Sequence, residues 1–76
     1  MSSQSEKEKK EAVRIDDTTT PDVTYFGWAP TGMTDSEEKW CIMKMDETSG
    51  VVILWADGND QYDNVWDDRA TTVVYF

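Results

Sequence analysis

Three runs of β-branched, aromatic and other apolar residues, Trp40–Met45, Val51–Trp55 and Thr71–Phe76, dominate the last half of the chain, separated by clusters of Asp, Gly, Asn, Thr and Ser. Such side chains suit a pleated, half-buried surface, and the intervening DETSG and ADGND carry turn chemistry, so the pattern predicts an antiparallel meander. The segment VTYFGWAP, Val23–Pro30, predicts a fourth strand or an extended arm. Strand alternation puts Trp40, Ile42 and Lys44 on one face of the first run and Cys41, Met43 and Met45 on the other. In the second run Val51, Ile53 and Trp55 oppose Val52 and Leu54; in the third Val73 and Tyr75 oppose Val74 and Phe76. Both faces are therefore largely apolar. A sheet with one face in water shows polar residues at alternate positions, so the second face needs a cover, part of it from Val23–Pro30 and the rest from another polypeptide.

The first 22 residues are polar and poor in aromatics, too little to offset chain entropy by burial. They are expected to form a flexible N-terminal arm, residues 1–22, ahead of a small β domain, residues 23–76. Glu, Lys and Ala over Glu6–Ile15 favour a short helix, with Glu6 and Lys10 spaced for an i,i+4 pair. Lys7, Lys9 and Lys10 form a basic cluster, and the arm is expected to order upon a partner. Thr31–Lys39 reads as a loop. Between the last two runs, Tyr62 and Trp66 are four residues apart, so a short helix begun near Asp60 would press both rings onto the sheet. The expected fold class is mainly β: a small antiparallel meander of three to four strands, a short helical turn before the last strand, and an extended polar arm.

Charge narrows the function. With 16 acidic and 7 basic residues, no His and a net charge of -9, the chain lacks the clustered cations that displace counterions from a phosphate backbone or bind an anionic membrane. No apolar run approaches the ~20 residues that span a bilayer, and MSSQSEKEKK has no signal-peptide core, so a soluble protein made in the cytoplasm is expected. At 76 residues, a single core is marginal by itself.

Candidate chemistry is sparse. The single thiol, Cys41, sits in an apolar run and reads as a packed residue; without His there is no zinc constellation and no evident base for a Ser or Cys nucleophile. Adjacent carboxylates such as Glu37/Glu38 and Asp67/Asp68 do not by themselves form a pocket, and the glycines are isolated, with no phosphate-binding loop. Asp57, Asn59, Gln61 and Asp63 alternate like the start of a calcium loop, yet Tyr62 stands where the sharp turn wants Gly, and Asp68 where a bidentate Glu is usual. A buried Trp66 anchoring a solvated acidic turn is the simpler expectation. The chain is expected to be no enzyme and to carry no catalytic, cofactor or metal site.

The strings W40-x-I42, W55-A56-D57-G58-N59 and Y62-D63-N64-V65-W66-D67-D68-R69-A70 resemble a family of short, mostly uncharacterised virion-associated proteins encoded by tailed bacteriophages among their structural genes. The resemblance extends from Tyr25 through Gly27, Ala29, Gly32, Ser36 and Trp40 to the C-terminal end. The ending TTVVYF departs from the family's shorter S/T-L-x-Y close. The resemblance implies a virion component without enzyme activity.

Pattern and resemblance together lead to an expected function: a minor structural protein of a tailed-phage virion, in the tail or fibre-attachment region, binding larger phage structural proteins in multiple copies without touching nucleic acid or membrane. The alternatives are a capsid cementing or decoration protein, and a small acidic inhibitor of a nucleic-acid-binding host enzyme. The four Trp residues read as core or interface anchors, and Tyr25, Trp28, Trp40, Trp55, Trp66, Tyr75 and Phe76 are the expected partner-binding residues.

Overall fold

A computed structural model describes residues 11–76. Residues 1–10, which hold the Lys7, Lys9 and Lys10 cluster and half of the expected helix, lie outside the described residues. Strand β1, Glu11–Asp16, pairs antiparallel with β2, Val23–Pro30, which pairs with β3, Glu38–Asp46, which pairs in turn with β4, Val52–Trp55. The chain then runs down β3: Ala56 N–H donates to the Ile42 carbonyl, and β5, Asn64–Val65, pairs with Trp40 and Glu38 across a register shift. The meander expected from the sequence is therefore present, with an additional strand at its start.

That first strand corrects the expected arm. Glu11–Asp16 belongs to the sheet, and the end of the helix expected over Glu6–Ile15 is extended backbone. Of its three charged residues, Arg14 and Asp16 face the core side and are satisfied there, Arg14 by Asp35 and Asp16 by Arg69. The expected short helical turn is present as one 3-10 turn, Trp66–Asp68, but it does not begin near Asp60, because Asn64–Val65 pairs with β3 as β5. The run Thr71–Phe76 is not a regular strand; it crosses the core face and pairs with the sheet at Ala56↔Tyr75 and through reciprocal backbone bonds between Trp55 and Phe76.

Register then defines two faces. On the covered face stand Asp16, Tyr25 and Lys44, then Arg14, Gly27 and Ile42, then Ala12, Ala29 and Trp40. Trp66 and Tyr75 close over it, with Val73 and Met33 beside them. Trp40, Ile42 and Ala29 are fully buried. Trp66 meets Trp40 at 5.8 Å in a tilted pair, within the range at which aromatic rings attract beyond simple burial. The Trp40 indole donates to the Thr34 carbonyl at 2.9 Å, which ties the β2–β3 loop to the core. Tyr75 lies 5.9 Å from Tyr25 and donates its hydroxyl proton to the Arg69 carbonyl at 2.8 Å. Burial of the Tyr75 ring pushes its hydroxyl well above the ordinary phenol range.

Candidate interaction surface

The opposite face of the sheet carries a row that crosses it from edge to edge: Ile15, Phe26, Met43, Trp55 and Phe76. Val13, Trp28 and Cys41 form the neighbouring row on one side, and Thr24, Met45 and Ile53 that on the other. Thr24 is the lone polar side chain among them. Much of this face is open, with Ile15 64% exposed, Val13 50% and Phe76 67%, whereas Cys41 at one end is buried beside Asp60 and Tyr62. Trp28 and Trp55 are half-buried against their neighbours, with Trp28 stacked between Phe26 at 6.3 Å and Trp55 at 6.2 Å. Single exposed apolar residues are ordinary; a contiguous apolar surface marks a place of interaction.

The expected anchors thus divide by face. Tyr25, Trp40 and Trp66 are buried on the covered side and Tyr75 packs over them, so these four hold the fold together. Trp28, Trp55 and Phe76 lie on the open side, where a partner can reach them. Sequence reasoning missed Val13 and Ile15, which widen this face, because it assigned them to the arm.

At one end of the open face, Trp28, Cys41 and Trp55 floor a hollow of about 290 Å³ whose rim is Glu11, Asp60 and Tyr62. The acidic loop supplies Asp60 and Tyr62 because the backbone turns sharply at Asp57 and Gly58, both at positive φ. Gly58 N–H bonds back to the Trp55 carbonyl, and Asn59 Oδ1 accepts from Gln61 N–H. Tyr62, expected to press on the sheet beside Trp66, instead points the other way and donates to Glu11 Oε2 at 2.7 Å, a bond that pushes its hydroxyl up to about 12. The Cys41 thiol is also pushed up, first by burial and then by the charges of Asp60, Glu11 and Asp63. Both effects favour the protonated thiol over the thiolate. No group of three or more carboxylate or Cys side chains among the described residues is placed to hold a metal ion.

Comparison with family models, curated proteins and solved structures finds no match for this chain.

Proposed function

We propose that this chain is a non-enzymatic interaction module, a minor structural protein of a tailed-phage virion that binds between larger subunits in the tail or fibre-attachment region. The observation that carries the reading is the open sheet face, with Ile15, Phe26, Met43, Trp55 and Phe76 in one apolar row. Such a row forfeits burial free energy, about 25 cal/mol per Å² of apolar surface, until another chain covers it. The resemblance of W55-A56-D57-G58-N59 and the stretch Tyr62–Ala70 to phage structural proteins supplies the setting. A decoration role on the capsid uses the same face and differs only in place.

The acidic-inhibitor reading draws its support from one loop, where Asp57, Asp60, Asp63 and Asp67 are all exposed. Quantitative mass spectrometry of gradient-purified particles separates the two. A fixed copy number per particle is expected for a virion part. Absence from particles, with the chain recovered free in the lysate, overturns the virion reading.

A further inference from the structure

The covered face shows how this protein treats its tryptophans. The Arg14 guanidinium lies 5.3 Å from the Trp40 ring centre and its Nε donates to Asp35 at 3.1 Å. The Arg69 guanidinium lies 4.4 Å from the Trp66 ring centre and its Nε donates to Asp16 at 2.9 Å. Each is a sandwich of indole, cation and carboxylate, in which the ring's negative face and the anion hold the same positive charge. Lys44 repeats part of the pattern, 5.4 Å over Tyr75. These are three of the four basic side chains among the described residues; the fourth, Lys39, is exposed.

On the open face two elements of the sandwich recur. Trp28 and Trp55 stand at 6.2 Å, and Glu11 and Asp60 border the hollow they floor, but none of the four described basic residues lines it. The hollow's volume, about 290 Å³, sits at the small end of the ~300–1,000 Å³ of ligand pockets and has room for one long side chain. Apolar residues continue from it across the sheet. We propose that this hollow receives an arginine or lysine side chain of a protein partner, carried on a segment whose flanking residues are apolar and lie along the Phe26, Met43 and Trp55 row. The inference rests on the open face being an interaction surface and adds the chemistry of what docks there. Charge complementarity favours such a segment over a second copy of this chain, which would bring another acidic rim of Glu11 and Asp60 to the interface.

The test is a titration of the full chain, followed by the indole N–H resonances of Trp28 and Trp55, with an acetylated and amidated Ser-Leu-Arg-Leu-Ser peptide. The same peptide with Gln in place of Arg is the control. The Arg peptide is expected to shift both resonances and leave those of Trp40 and Trp66 in place. The Gln peptide should bind about tenfold more weakly. Asp60→Asn should weaken the Arg peptide about threefold, and added salt should weaken it further. Equal binding of both peptides, unaffected by Asp60→Asn, overturns the cation assignment while leaving the interaction reading intact. No shift at millimolar Arg peptide also overturns it. A full chain with Lys7, Lys9 and Lys10 all replaced by Gln is the last comparison: if these changes alone move the Trp28 and Trp55 resonances, the occupant is the chain's own N-terminal segment, and the assignment to a partner fails.

Discussion

The Cβ that Gly27 lacks would stand 2.5 Å from Cε3 of Trp66, so the buried indole occupies space that any side chain at position 27 would claim. Trp40 Cε3, at 3.1 Å, closes the other side. Gly27 thus sits at the centre of β2 to admit the ring pair, at the cost of strand propensity.

Gly27→Ala is expected to destabilise the fold by about 1–3 kcal/mol through overpacking. Trp66→Ala should cost about 3–5 kcal/mol, as for other buried large aromatics. Because the two groups compete for one space, the double variant should cost clearly less than the sum of the single changes. Denaturant melts of the three variants check this; additive costs would show that the ring does not depend on Gly27.

Much of this arrangement is legible in the sequence, and the failures have physical causes. The residues of Val23–Pro30 form a strand as their β-branched and aromatic content predicts, and the runs at Trp40 and Val51 lie within a residue or two of β3 and β4. Strand β1 was hidden because two of its three inward residues, Arg14 and Asp16, are charged, and the partners that satisfy them lie 21 and 53 residues away. No local window reveals such pairs. The Tyr62/Trp66 spacing misled for a related reason: a contact with Glu11, 51 residues away, fixes Tyr62 outside the core, and β5 takes up the intervening backbone. The open face was foreshadowed by two-sided apolar runs, whereas its acidic rim depends on where the loop folds.

Asp16 closes the sheet's first strand onto the C-terminal segment, and its carboxyl is held well below the usual carboxylate range. The Thr19 hydroxyl contributes most; the Thr18 N–H, the Arg69 guanidinium and the Thr19 N–H add to it, together outweighing the effect of burial. A depressed folded value means that the stabilisation is complete above the ordinary carboxylate value, about pH 4, and is lost as the pH falls through the folded one. The stability advantage of the wild type over Asp16→Asn should therefore shrink between about pH 5 and about pH 2. Thermal unfolding followed by circular dichroism across that range checks it; a constant difference would contradict the linkage.

Tyr62 gives the opposite sign. Its hydroxyl is raised to about 12, chiefly by the hydrogen bond to Glu11, so its contribution is intact below the ordinary phenol value and lost as the pH rises through about 12. The stability difference between the wild type and Tyr62→Phe should close over about pH 10 to pH 12. Denaturant melts at alkaline pH, with phenolate absorbance recorded alongside, provide the measurement.

Hydroxyl-radical footprinting of the chain, first isolated and then within purified particles, tests the central claim most directly, because it reads the two sheet faces separately. In the isolated chain Trp28, Trp55, Met43 and Met45 should be oxidised while the buried Trp40 and Trp66 are spared. In particles the first four should become protected, and Trp40 and Trp66 should remain so. Trp28 and Trp55 oxidised equally in both settings would contradict the account, since the open face would then be no interface.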